Sequence, residues 1–218
     1  MELDSVAFDV DGTLYPNSLM YIASVPFFLT RPRLVPAFRR VRRRIRAIRP
    51  IDDLYDMQAR MLADELQIGS EQARGLIERR IYRGSERVLA AVPTFRGVRA
   101  ALERLRGAGL KLAVLSDFPL GSKLARLGLD GLWDVELSSE DVGYLKPNPE
   151  PFEALLERLG TEAARTIFVG NNYYYDVLGA RAVGLRTVHF SRVAHPESEA
   201  DLTVHTYAGL ADHILNCR

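Results

Sequence analysis

The sequence predicts an α/β fold, a parallel sheet covered by helices on both faces, with a helical segment set into it near the start. Three observations predict it. From Leu105 onward, short apolar and β-branched runs alternate with helical patterns, the order of βα units in a parallel sheet. A further apolar run, Ser5–Phe8, stands near the beginning and ends in two carboxylates. Between that run and a helix expected over Arg96–Ala108, the chain reads almost wholly helical, with no strand that fits the sheet.

In chain order, Ser5–Phe8 is the first expected strand. The next are Lys111–Ser116, Trp133–Ser138, Thr166–Gly170, Arg186–Phe190 and Leu202–His205, joined by helices expected near Pro119–Leu127, Pro149–Leu159, Tyr175–Val183 and Tyr207–Leu215. In the helical segment, Leu34, Phe38, Val41, Ile45 and Ile48 recur at alternating spacings of four and three, and a second apolar stripe runs through Leu54, Met57, Met61, Leu62 and Leu66. A third helix is expected over Ser70–Ile81, with Ser70 as N-cap but Ala73 where a capping box would need an acid. The expected division is residues 1–15 and 94–218 for the sheet domain and 16–93 for the helical domain.

A chain of 218 residues can bury a substantial core without disulfides or zinc, and the single Cys217 excludes an internal disulfide framework. Lys and Arg total 29 against 28 acids, so the overall charge implies neither a nucleic-acid nor a membrane partner. No basic start leads into an apolar run and cleavage site. The longest apolar stretch, Leu19 to Leu29, is interrupted by Ser24 and Pro26 and falls short of the ~20 residues that cross a bilayer. A soluble, cytoplasmic protein is the expectation.

The most informative residues are Phe8-Asp9-Val10-Asp11-Gly12-Thr13-Leu14. They put two carboxylates where a buried strand ends, and ligands of parallel sheets bind beyond the carboxyl ends of the strands. Alternation aims Asp9 and Asp11 to the same side. Like charges so close need a shared proton or a cation, and a hard divalent metal with oxygen ligands is the natural solution.

This pattern resembles the first motif of the haloacid dehalogenase-like superfamily. The resemblance continues in Ala113-Val114-Leu115-Ser116 followed by Asp117, in Gly143-Tyr144-Leu145-Lys146-Pro147-Asn148-Pro149, and in Ile167-Phe168-Val169-Gly170-Asn171-Asn172-Tyr173-Tyr174-Tyr175-Asp176. It implies a Rossmann-like core with a helical cap that closes over the active site. It also implies a Mg2+-dependent phosphatase acting on a small-molecule phosphate ester, with Asp9 as nucleophile and Asp11 as general acid/base. Thr13, Ser116, Asp117 and Lys146 would hold the phosphate. Asp9, the backbone carbonyl of Asp11, Asn171 and Asp176 would hold the metal. The acid at Asp11 disfavours dehalogenases and phosphonatases, which lack it, but a phosphomutase would keep it.

One departure bears on activity. Asn171 stands where the family has its first metal-binding acid in this segment, and an amide brings no negative charge to the cation. The alternatives are an Asn-tolerant enzyme, a weakened one, or a binding module that keeps the fold. The tyrosine run is expected to pack at least one ring in the interior.

Residues Arg31 to Arg49 hold nine arginines and no acid. The favoured reading is a solvated helix face, with Arg39, Arg40, Arg42, Arg43, Arg44 and Arg46 turned outward and some paired with Asp52, Asp53 and Asp56. The other reading is a surface that attracts an anionic substrate, nucleic acid or an acidic membrane, with Tyr21, Phe27 and Phe28 adding apolar contact.

Overall fold

In the computed structural model, which describes residues 3–193 and 197–216, the six runs expected as strands, β1 (Ser5–Phe8), β2 (Lys111–Ser116), β3 (Val135–Ser138), β4 (Thr166–Gly170), β5 (Arg186–Phe190) and β6 (Leu202–Val204), form one sheet in the order β3-β2-β1-β4-β5-β6, every pair parallel. Cys217 lies outside the described residues. The first strand, β1 (Ser5–Phe8), is followed by a helical segment of α1 (Asn17–Ala23), α2 (Val25–Thr30), α3 (Leu34–Ile45), α4 (Leu54–Leu66), α5 (Ser70–Leu76), a π-helical stretch Ile77–Tyr82, and α6 (Arg83–Leu89). The chain then runs α7 (Val98–Gly107), β2 (Lys111–Ser116), α8 (Lys123–Arg126), β3 (Val135–Ser138), α9 (Ser139–Val142) and α10 (Pro149–Leu159). It closes with β4 (Thr166–Gly170), a π-helical turn Tyr173–Leu178, α11 (Gly179–Ala182), β5 (Arg186–Phe190), β6 (Leu202–Val204) and α12 (Leu210–Asn216).

The period of two along each strand sorts side chains between two cores. Val6 and Phe8, with Leu112, Val114, Ile167 and Val169, face α7 and α12, whose Leu102, Leu105, Leu210 and Ile214 cover them. Ala7, Ala113, Leu115 and Phe168 face the other way, against Phe152, Leu155 and Leu159 of α10. The small residues at Ala7 and Ala113 leave room for the Phe152 ring, which meets Phe168 edge-on at 5.2 Å.

The helical segment has a third core of its own. Leu34, Phe38, Val41 and Ile45 of α3 pack on Leu54 and Leu62 of α4 and on Ala73, Leu76 and Ile77, as their spacing predicts; Ile48, Met57, Met61 and Leu66 are partly buried beside them. Leu145 enters this cluster from the sheet side and ties the two parts together. No helix among the described residues is long and apolar enough to cross a membrane.

Several expected boundaries move. The expected helix over Ser70–Ile81 changes to π-type winding at Ile77, and its N-cap is Gly69, with no side-chain cap from Ser70. The helix expected over Pro119–Leu127 shrinks to Lys123–Arg126 because Pro119 and Gly121 keep the preceding turn irregular. The third strand begins at Val135, and the last ends at Val204.

The arginine face is the larger correction. Arg42 is buried and Arg46 partly buried, so neither faces solvent. Their partners are Glu140 in α9 and Asp117 just after β2. Arg40 and Arg44 pair with Glu65. Asp53 caps α4 by accepting the Asp56 N–H at 2.9 Å, and Asp56 pairs with Arg60 and Arg74. Helical periodicity finds the apolar stripe but cannot tell a charged residue facing water from one facing a second charged domain.

Candidate active site

Register brings the candidate residues to one edge. Phe8 lies opposite Val114 on one side and Val169 on the other, so the residues just beyond them share the carboxyl end of the sheet. The Asp9 N–H continues the ladder to the Val169 carbonyl at 2.9 Å, which fixes the backbone that carries its carboxylate.

Asp9 is held from two sides. Its Oδ1 accepts from Lys146 Nζ at 2.8 Å and its Oδ2 from the Thr13 hydroxyl at 2.9 Å. Lys146 also donates to Asp176 Oδ1 at 2.6 Å and to the Leu115 carbonyl at 3.2 Å. The second oxygen of Asp176 accepts the Asn172 N–H at 2.9 Å, so both of its oxygens are engaged within the protein. A Cβ at Gly170 would strike the Asp176 side chain, so glycine there allows the close approach.

Asp11 points into a separate set of donors. Ser116 Oγ donates to its Oδ2 at 3.1 Å, Lys123 Nζ lies 2.9 and 3.0 Å from its two oxygens, and the Tyr15 hydroxyl donates to Oδ1. Its main-chain carbonyl accepts from Asn17 Nδ2 at 3.0 Å. Gly12, at φ 98°, makes the turn between Asp11 and Thr13, and a side chain there would collide with Asn17 and Asn171. Ser116 also accepts the Phe118 N–H at 3.1 Å, so one hydroxyl both caps the following loop and faces Asp11.

Asp117 receives the Lys146 N–H at 3.1 Å on Oδ1 and the Arg46 guanidinium on Oδ2. Arg46 donates further to the Lys146 carbonyl at 2.6 Å and stacks 4.1 Å from the Tyr175 ring centroid. Beside it, Arg42 bonds Glu140, Gln58 and the Asp117 carbonyl. No ring of the tyrosine run is fully buried: Tyr174 is 69% exposed, and Tyr173 and Tyr175 are partly covered. A cavity of about 210 Å3 opens beside Gly12 and Asn171, with Asn17, Ser18, Ser191 and Arg192 on its wall.

Charge and burial set the protonation of these groups. Burial is the largest influence on Asp9 and pushes its pKa up to about 7, with Asp176 and Asp11 adding repulsion and Lys146 pulling the other way. Burial also opposes ionisation of Asp11, but the Lys123 charge and the bonds from Tyr15, Lys123 and Ser116 outweigh it and lower its pKa. Asp117 is lowered too: burial is outweighed by Arg46, Lys146 and Arg42. Burial disfavours the Lys146 charge, yet Asp176, Asp9 and Asp117 raise its pKa, so it stays protonated.

Oxygens suited to a hard cation gather on one side. The Thr13 hydroxyl lies 2.9 Å from Asp9 Oδ2 and 3.2 Å from Asn171 Oδ1, so those two oxygens converge on one hydroxyl. Among the described residues, no three His, Cys, Asp or Glu side chains form a metal cluster. The oxygen set fits magnesium chemistry, with Asp9 as its charged member and amide and backbone oxygens completing it.

The motifs do not reveal Lys123, Tyr15, Asn17, Arg42 or Arg46. Tyr15 follows Thr13 by two positions, which is the one local signal. Lys123 sits after an irregular loop and the arginines come from a remote helix, so only the folded chain assembles them.

The haloacid dehalogenase-like hydrolase family matches residues 3–184. A pyrophosphatase, PpaX, of Halalkalibacterium halodurans is 30% identical over 190 residues, 86% of this chain and 83% of its own. A glyceraldehyde 3-phosphate phosphatase of Methanothermobacter thermautotrophicus is 29% identical over 205 residues, 85% of this chain and 84% of its own. In fold, a 2-haloacid dehalogenase of Pseudomonas syringae superposes with a TM-score of 0.71 at 24% identity, over 99% of this chain and 100% of that one. With the match running from Leu3 through Gly184 and across every segment that builds this site, the chain belongs to the haloacid dehalogenase-like hydrolases.

Proposed function

We propose that this protein is a magnesium-dependent phosphatase that hydrolyses a small phosphate ester through an aspartyl-phosphate on Asp9. The observation that carries the reading is the pair of differently solvated carboxylates. Asp9 is held by Lys146 and Thr13 at the end of β1, and Asp11, two residues on, is bonded to Lys123, Tyr15 and Ser116. Burial holds the metal-free Asp9 pKa up at about 7 while its donors hold that of Asp11 below the usual value, so a divalent cation beside Asp9, when bound, would supply the charge that keeps it the nucleophilic anion. The names of the relatives, a pyrophosphatase and a glyceraldehyde 3-phosphate phosphatase, support a small phosphorylated substrate.

In the first half-reaction an Asp9 oxygen attacks phosphorus in line and the bond to the leaving oxygen breaks. The resting site holds Asp11 as the anion, but the approaching phosphate dianion raises its pKa by like-charge repulsion. The proton taken up in this way passes to the leaving oxygen. In the second half-reaction Asp11 takes a proton from water as it attacks phosphorus, and the bond to Asp9 breaks, releasing phosphate. Lys146 stays protonated throughout and offsets the charge on Asp9 and the phosphoryl oxygens, while Ser116 and the backbone beyond it bind those oxygens. Asp9, the Asp11 carbonyl and Asn171 would hold the magnesium, with Asp176 nearby, and when bound the ion neutralises charge between nucleophile and phosphoryl group.

Residues 16–93 act in this reading as a cap, with Arg42 and Arg46 drawing α3 onto the catalytic edge and shutting out bulk water. A cytoplasmic location belongs to the same proposal. A phosphomutase would share the aspartyl-phosphate chemistry. The binding-module reading is favoured by Asn171 alone, because it removes a charge from the metal set.

The deciding experiment is hydrolysis of an aryl phosphate with and without magnesium by the natural chain, Asp9→Asn and Asn171→Asp. Metal-dependent turnover abolished in Asp9→Asn supports the proposal. An inert natural chain beside an active Asn171→Asp would replace it with the binding-module reading.

A further inference from the structure

Between Asp11 and Asp52 the sequence holds nine arginines and no Asp or Glu. The folded chain uses five of them internally: Arg42, Arg46 and Arg49 on Glu140, Asp117 and Glu150, and Arg40 and Arg44 on Glu65. Arg31, Arg33, Arg39 and Arg43 are exposed and have no ion-pair partner among the described residues. The same stretch carries Leu19, Tyr21, Ile22, Val25 and Leu29, five of the eight large apolar side chains that the described residues expose. Ile22 is 66% and Leu29 77% exposed. The two sets adjoin, since Leu29 leads through Thr30 into Arg31 and Arg33, and the Arg39 guanidinium stands 5.8 Å from the Tyr21 ring centroid.

We propose that this face is a membrane-surface site, in which Leu19, Tyr21, Ile22, Val25 and Leu29 enter the interface of an anionic phospholipid bilayer and the four arginines without an ion-pair partner lie against its phosphates. Apolar insertion combined with basic residues is the chemistry of interfacial binding. Charge complementarity selects this occupant over a second copy of the chain. Two such faces together would oppose unpaired arginines with no acid between them. Arg42 in α3 and Arg46 just after it are buried and partly buried against Glu140 and Asp117, so lipid binding leaves their contacts intact. The inference does not depend on the phosphatase reading.

The test is co-sedimentation of the full chain with phosphatidylcholine vesicles and with vesicles of phosphatidylcholine and phosphatidylglycerol. The chain is expected to partition onto the anionic vesicles, to leave them as salt is raised, and to bind pure phosphatidylcholine weakly. Arg33→Gln, Arg39→Gln and Arg43→Gln should each lower partitioning about fivefold. Leu29→Ser should also weaken it, with the thermal unfolding midpoint of each variant unchanged. Absence of binding to the anionic vesicles, or equal binding to both, overturns the proposal. A dimer in sedimentation equilibrium that Ile22→Ser dissolves, with no vesicle binding, would assign the face to a second copy instead.

Discussion

Lys123 Nζ lies within hydrogen-bond distance of both carboxylate oxygens of Asp11, at 3.0 Å from Oδ1 and 2.9 Å from Oδ2. With Lys146 on Asp9 and Asp176, this makes two lysines facing three aspartates. Much of the site's own negative charge is thereby offset, which lowers the electrostatic barrier to an anionic ligand.

Lys123→Met leaves the partly buried Asp11 carboxylate without its cation. We expect a loss of about 1–3 kcal/mol in urea denaturation, less than the about 3–5 kcal/mol of a fully buried pair because Asp11 keeps some solvent. The double variant with Asp11→Asn should recover part of it. Additive losses in that cycle would show that the two side chains do not interact.

Lys146→Met is the harsher change, since Asp9 and Asp176 are both buried and lose the ammonium between them. A stability loss of about 3–5 kcal/mol is expected. Aryl phosphate turnover should fall at least about a hundredfold. Turnover within a few-fold of the natural chain would remove Lys146 from the chemistry.

The raised pKa of Asp9 has a defined effect on stability in the metal-free chain. Its carboxyl titrates at 3.8 when unfolded and at about 7 when folded. The folded state holds the proton longer, so this group's contribution is complete below 3.8 and is lost as pH rises toward 7. Asp11, with its lowered pKa, acts in the opposite sense and loses its contribution as pH falls. The unfolding midpoint of the natural chain, followed with a chelator present, should drop relative to Asp9→Asn as pH rises from 4 to 7. Parallel curves for the two proteins would refute the shift.

Arg46 ties three groups of the sheet domain: Asp117, the Lys146 carbonyl and the Tyr175 ring. Arg46→Met keeps the stem but breaks these bonds, so the helical segment should open more often. We expect kcat/KM to fall about tenfold, with faster protease cleavage between α3 and α4. An unchanged cleavage rate would show that the contact does not hold the segment closed.

That Asp9, Asp11 and Ser116 lie together is legible in the chain because each ends or directly follows an apolar strand, and strand ends in a parallel sheet converge whatever lies between them; Lys146, beyond α9, and Asp176, inside a π-helical turn, reach the same edge only through the fold. The sheet itself was legible for a related reason. Its residues are buried on both faces, so each strand stands out as an apolar run.

Charge partners were less accessible. Helical periodicity turns the arginines of α3 and Arg46 just beyond it outward, which is wrong for Arg42 and Arg46 because the acids that receive them, Glu140 and Asp117, lie about a hundred and about seventy positions away. Helical periodicity describes one helix against one apolar core, and α3 has an apolar core on one face and a charged neighbour on another.

By itself, then, the sequence determined the α/β class and the place of the acids at the end of β1, because apolar periodicity and strand-end position are local properties of the chain. Tertiary structure alone decided that Lys123 meets Asp11, that Asp176 is engaged by Lys146, and that Arg42 and Arg46 turn to Glu140 and Asp117 while Arg39 and Arg43 stay exposed. Those outcomes depend on which distant surfaces pack together, and the energy of a charge is set by the partner and the burial it finds there rather than by its neighbours in sequence.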